Sequence, residues 1–268
     1  MRDHLAHECV HTKPLFNKGN ASVSKGIYEE KMSSAEGYIV VFDLETQGKI
    51  CDQVGSTENE RISNLQISCL SAIKIPTNAL FFTNKDEVQE AISKAEMKTW
   101  WRDVDEHGKG PFDEFFEWCD GAEIIGGYNS LHFDHPILLK HVKKRRYERH
   151  VCKALDSFAR IKDVTGVFFK LDALLKANGL ETKTANGLQA IKFWEDQERD
   201  KLQEYCEQDV RACARLMALP TLKLPNTTST LPNYVFGLQS AVAAHRASAS
   251  VQAMQCLAQP AKMQKTTH

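Results

Sequence analysis

The chain has 268 residues, 42% of them hydrophobic, with 34 basic and 35 acidic side chains and a formal net charge of −1. This composition suits one domain of about 180 residues plus tails, and it excludes a global basic field of the kind that advertises nucleic-acid binding. Eight cysteines are scattered without Cys-x-x-Cys pairs, and neither a secretory signal nor an apolar run of about 18 residues is present; the expectation is reduced thiols, an intracellular setting in cytoplasm or nucleus, and no membrane partner.

Residues 1–36 lack apolar periodicity and read as a flexible N-terminal tail. His4, His7, Cys9 and His11 lie close together there, but no second ligand cluster follows at zinc-finger spacing. The domain is expected over 37–220. It opens with Tyr38-Ile39-Val40-Val41-Phe42, a β-branched and aromatic run that predicts a buried strand. At its carboxyl end stand Asp43, Leu44, Glu45 and Thr46. Side chains alternate across a strand, so Asp43 and Glu45 emerge on one face. Two such carboxylates repel each other without cations, and hard oxygen ligands suit Mg2+ or Mn2+. The plainer alternative is an ordinary strand end, solvated or capping a turn.

Further strands are expected over 65–73 and 79–83, a helix over 86–101, a turn over 107–111 and a short helix over 112–119. A strand at Ile124 leads to Asn129, a turn former, and then to Phe133-Asp134, with Pro136 in the first turn of the next helix. Asp134 suits an N-cap, a role compatible with metal ligation. The basic run 141–150 reads as a solvated helix end rather than a phosphate-tracking patch. After a strand over 151–155, Asp156 is either a supporting carboxylate near the site or the cap of the next helix. From Gln197 to Leu219 no Gly or Pro interrupts a helix whose stripe is Leu202, Cys206, Val210, Cys213 and Met217. Tyr205 and Asp209, four apart, share one face beside that stripe. Residues 221–268 are expected to form a mostly flexible C-terminal tail that docks a partner, with Tyr234-Val235-Phe236 its one strong apolar triplet and 238–256 a weak helix. This order predicts an α/β fold with a mixed five-stranded sheet, helices on both faces, and a site at strand carboxyl ends.

Taken together, the three acidic segments resemble the DEDD superfamily of 3′–5′ exonucleases, in its DEDDy subgroup. The D-x-E strand motif is matched by Asp43 and Glu45, N-x(3)-F-D by Asn129, Phe133 and Asp134, and Y-x(3)-D by Tyr205 and Asp209. The sister DEDDh subgroup carries His five positions before the last Asp, where this chain has Glu204. The resemblance spans about residues 37–219. It implies a ribonuclease H-like fold and two ions, Mg2+ or Mn2+, about 4 Å apart. It further implies that Asp43 bridges the ions, that Glu45 and Asp209 complete the one that activates water, and that Asp134 helps hold the second. Tyr205 then orients the attacking water, Leu44 and Thr46 border the terminal nucleotide, Asn129 and Phe133 shape the strand's path, and Lys183 contacts a phosphate. The implied partner is a single-stranded nucleic-acid 3′ end, with DNA preferred and RNA the runner-up. A helicase or polymerase companion is also implied, because the motif contexts look closest to helicase-associated and free-standing members and to polymerase proofreading domains. A non-catalytic binding module on the same fold is the alternative from another class.

Overall fold

The structure is a computed structural model and describes residues 37–82, 84–102, 112–182 and 187–258. Its centre is β1 (Tyr38–Thr46), whose residues from Ile39 to Phe42 are buried on both faces. β2 (Ile67–Pro76) pairs with it antiparallel, and β3 (Glu96–Trp101) pairs antiparallel with β2. On the other side β4 (Ile125–Gly127) and β5 (Ala154–Asp156) run parallel to β1. The order β3-β2-β1-β4-β5 makes the mixed five-stranded sheet of a ribonuclease H-like α/β fold.

The two-residue period of β1 sorts the core into two layers. Val40, Phe42 and Leu44 face α1 (Glu58–Asn64), α3 (Asp113–Gly121) and α4 (Asp134–Leu138), meeting Ile62, Phe115, Phe116 and Ile137. Ile39 and Val41 face the opposite layer. It is built by α2 (Lys85–Lys94), α6 (Ser157–Thr165), α7 (Leu171–Ala177) and the long α9 (Arg199–Met217). Two further helices, α5 (Lys144–Val151) and α8 (Gly187–Glu195), lie between these in the chain.

Three expectations are corrected. Residues 77–81 form a 3-10 helix and not a strand. Pro76 ends β2, and Thr77 is held by its N–H on the Gly37 carbonyl (2.8 Å) and its hydroxyl on Glu123 (3.0 Å), which turns the chain out of the sheet. The helix expected over 86–101 stops at Lys94, and Ala95 is extended. The chain then enters β3, an edge strand whose polar residues hid it. Thr99 shares a hydrogen bond with Ser71 (2.8 Å), and Lys98 pairs with Glu114. An edge strand covered mainly on one face has no need of a continuous apolar run.

The third correction concerns 221–268. β6 (Thr221–Lys223) and β7 (Thr230–Pro232) make a small hairpin, followed by α10 (Asn233–Phe236) and α11 (Leu238–Ala258). Leu222, Leu231, Phe236, Leu238 and Val242 are buried in the same core layer as Val41 and Met217. The Ser157 hydroxyl donates to the Phe236 carbonyl (2.7 Å), and Arg246 grips Glu123 (2.6 Å). This segment is part of the domain. Its apolar residues are few and irregularly spaced, and each fills a separate place in that core layer. The expectations for residues 1–36, the 107–111 turn and 259–268 lie outside the described residues.

Candidate metal centre

The α9 stripe sets the geometry. Leu202, Cys206, Val210, Cys213 and Met217 are all buried against the sheet. The approach is close: a Cβ on Gly126 would lie 3.0 Å from Met217 Cε and 3.1 Å from Val41 Cγ2. The helix packs onto β4 there and carries Tyr205 and Asp209 to the carboxyl end of β1. Asp43 and Glu45 emerge on the face that α9 covers. Ligand atoms of Asp43, Glu45 and Cys206 all lie within 4.8 Å of one another. The Tyr205 hydroxyl is hydrogen-bonded to Asp209. Burial, then the charges of Asp209, Glu45 and Asp43, push the phenol above its ordinary pKa.

Asp134 reaches the same place by a different route. Val40 N–H points toward β4, where it meets the Ile124 carbonyl at 3.0 Å. By the two-residue period, Leu44 N–H points the same way, but β4 has ended by then. Asp134 Oδ1 accepts it at 3.2 Å. The aspartate is therefore not an N-cap; Phe133 holds that position in α4. Asp134 is 2% exposed. Burial first, and the Asp43 charge second, raise its carboxyl well above the usual range, while the Leu44 N–H opposes them.

Asp156 fills both roles the sequence left open. It caps α6 through Ala159 N–H (3.2 Å) and accepts the N–H groups of Asn129 (2.9 Å) and Leu131 (3.0 Å). It thereby fixes the loop that delivers Asp134. Asn129 sits in the left-handed region, at φ 62°, where asparagine is among the better-tolerated residues. Phe133 is half-buried against the Phe42 layer. Leu44 and Thr46 are buried, and the Thr46 hydroxyl donates to the Gly48 carbonyl (3.0 Å). Leu44 packs in the Phe42 layer of the core. Lys183 lies outside the described residues. In the basic run, Arg146, Arg149 and His150 converge on Asp120, at 2.8, 3.6 and 2.8 Å, and fasten α5 to α3.

Cys206 is the neighbour that sequence reading assigned to the buried stripe alone. Its thiol donates to the Asp43 carbonyl at 3.6 Å, bracing the strand end. Burial, with a hydrogen bond to Cys69, raises its pKa strongly, so it stays protonated. The ligand-type atoms left at the centre are carboxylate oxygens. The charged groups that shift Asp134 are Asp43 and Asp156, and those that shift Tyr205 are Asp209, Glu45 and Asp43, all of one sign. Clustered, partly buried carboxylates with hard oxygen donors fit divalent cations such as magnesium or manganese.

No helix among the described residues is long and apolar enough to cross a membrane. No protein-family model and no curated protein matches the chain. Among solved structures it is similar to E. coli Exonuclease I, solved in complex with a 5cy-dT13 oligonucleotide, at 15% identity and a TM-score of 0.31. That match covers 64% of this chain and 42% of the other, so the chain spans less than half the length of that protein.

Proposed function

We propose that the protein is a metal-dependent 3′–5′ exonuclease that hydrolyses phosphodiesters at single-stranded DNA ends and releases nucleoside 5′-monophosphates. One observation carries this reading. Asp43, Glu45, Tyr205 and Asp209 meet at the carboxyl end of β1, and Asp134 is bonded to the same strand, although the three segments are far apart in sequence. A scaffold gains nothing from crowding like charges in this way.

Asp43, Glu45, Asp134 and Asp209 would hold two Mg2+ or Mn2+ ions. When bound, such ions make water nucleophilic at neutral pH and stabilise the leaving oxygen. Tyr205 stays protonated at neutral pH, so its work is positioning the attacking water and not abstracting a proton. Asp134 is held in place by the Leu44 N–H and by the loop that Asp156 ties down. Asn129 and Phe133, on that loop, would shape the path of the strand.

The test is digestion of end-labelled single-stranded DNA and RNA, side by side, with magnesium, manganese or chelator. Stepwise shortening from the 3′ end that needs metal and favours DNA is the expected result. Faster RNA decay would move the substrate to RNA within the same chemistry. Binding without cleavage in either metal would overturn the reading in favour of a binding module.

A further inference from the structure

Beside the acidic centre lies a second feature that the exonuclease motifs do not include. A cavity of about 750 Å3 is lined by Gln47, Trp194, Glu195, Gln197 and Arg199. Its volume falls within the range of about 300–1,000 Å3 found for ligand pockets. It begins one residue beyond Thr46, where β1 leaves the carboxylates. Gln47 is fixed there by two hydrogen bonds, donating to the Ile67 carbonyl (2.8 Å) and accepting from Arg102 (3.1 Å).

The wall is built around an arginine held by tryptophans. The Arg199 guanidinium lies 5.2 Å from the Trp101 ring and 5.9 Å from the Trp194 ring. The turn between α8 and α9 locks this arrangement. Gln197 takes φ 58°, its N–H returns to the Trp194 carbonyl (3.1 Å), and Arg199 N–H meets the Gln197 carbonyl (2.9 Å). Trp101, Phe193 and Trp194 all pack on the cluster that contains Tyr205 and Cys206, so the clamp and the acidic centre share one rigid support. A guanidinium resting on aromatic faces keeps its charge, and stacking of this kind reduces the freedom it loses when it meets a phosphate. Arg102 adds a second cation. Glu195 puts a carboxylate on the wall, and Lys201 bonds Glu198 (2.6 Å). Aromatic side chains next to cations are how sequence-tolerant single-strand binders hold their ligand.

We propose that this cavity holds the part of a single nucleic-acid strand that lies 5′ of the terminal nucleotide, with Arg199 on a backbone phosphate and Trp194 as a stacking platform for a base. The proposal rests on the reading that the acidic centre takes a 3′ end. It extends that reading to the path by which the strand arrives.

The experiment measures binding in excess chelator, where no cleavage occurs, using full-length protein and a fluorescein-labelled ten-nucleotide thymidylate strand. Arg199→Ala should weaken binding about 10-fold or more and flatten the salt dependence by about 0.7 in log–log slope, the share of one phosphate contact on a single strand. Strand addition should quench tryptophan fluorescence in the wild type and do so much less in Trp194→Leu. Melting curves check that both variants are folded; Arg199 is exposed, so its variant keeps the test open if Trp194→Leu is unstable. Affinity within about twofold of wild type for folded Arg199→Ala, or fluorescence unmoved by the strand, would overturn the proposal. Cleavage assays with magnesium separate the two ideas. A wild type that binds through Arg199 but never cleaves sinks the exonuclease reading alone. Active enzyme with undiminished strand affinity in Arg199→Ala sinks the clamp alone.

Discussion

Replacing Phe236 by alanine tests whether the segment after residue 220 belongs to the domain. The ring is fully enclosed, in one apolar layer with Leu238, Val242, Met217 and Ile161. Removing a buried phenyl group costs about 3–5 kcal/mol, from lost transfer energy and the cavity left behind. The Ser157 bond to the Phe236 backbone carbonyl survives the change, so the side chain is isolated as the cause. Set against the about 5–15 kcal/mol by which domains are stable, that is a large fraction. For a domain of this size, about 2–4 °C of melting temperature accompanies each kcal/mol. The expected drop is therefore roughly 6–20 °C in a thermal melt followed by circular dichroism. Tyr234→Ala is the control: it lies on the same short helix but is 72% exposed, and it should move the midpoint by no more than about 2 °C. Equal, small shifts for the two variants would refute the assignment of this segment to the core.

Three further outcomes are expected. Tyr205→Phe should lower kcat roughly 10- to 1000-fold with little change in KM, because one positioning hydrogen bond is lost; unchanged single-turnover rates would remove Tyr205 from the mechanism. Glu123 has its carboxyl held below the ordinary 4.5, burial opposing this and the bonds from Arg246 and Thr77 outweighing it. A depressed folded-state pKa gives stability that is complete above the unfolded value and lost as pH falls through the folded one. Denaturant melts below about pH 4.5 should therefore show less pH dependence in Glu123→Gln than in wild type, and Arg246→Ala should cost about 1–3 kcal/mol at neutral pH; parallel acid limbs would contradict this. A 3′-phosphate should slow degradation, since added negative charge meets the carboxylate cluster, and circular strands should resist; equal cleavage of circles would mark an endonuclease.

Much of this site could be read from the chain because its chemistry sits on regular elements. The β1 run and the α9 stripe announce themselves by period, so the common face of Asp43 and Glu45, and of Tyr205 and Asp209, is set by local geometry. What sequence could not show was how distant pieces close on one another. Asp134 looked like a cap because Pro136 comes soon after it; its actual partner, the Leu44 N–H, is orphaned only because β4 is so short. β3 was hidden inside an apparent helix, since Glu96, Met97 and Lys98 favour helix and continue on from α2, and the edge of the sheet supplies the reason for their extension. The segment after 220 was misread because Leu222, Leu231, Phe236 and Leu238 show no period of their own. The Trp101–Arg199–Trp194 arrangement left no trace because residues almost one hundred positions apart compose it.

The most direct measurement of the central claim is release of a labelled 3′-terminal nucleotide from a single strand by folded wild type and folded Asp43→Ala, with magnesium or manganese titrated into metal-stripped protein. Loss of a group that holds the ions should remove several kcal/mol of barrier lowering, a factor of about a thousand or more in rate. The account predicts metal-dependent release of nucleoside 5′-monophosphate by the wild type and none above background by Asp43→Ala, with closely similar melting temperatures. Full activity in Asp43→Ala, or activity in the wild type that chelator leaves untouched, would contradict it.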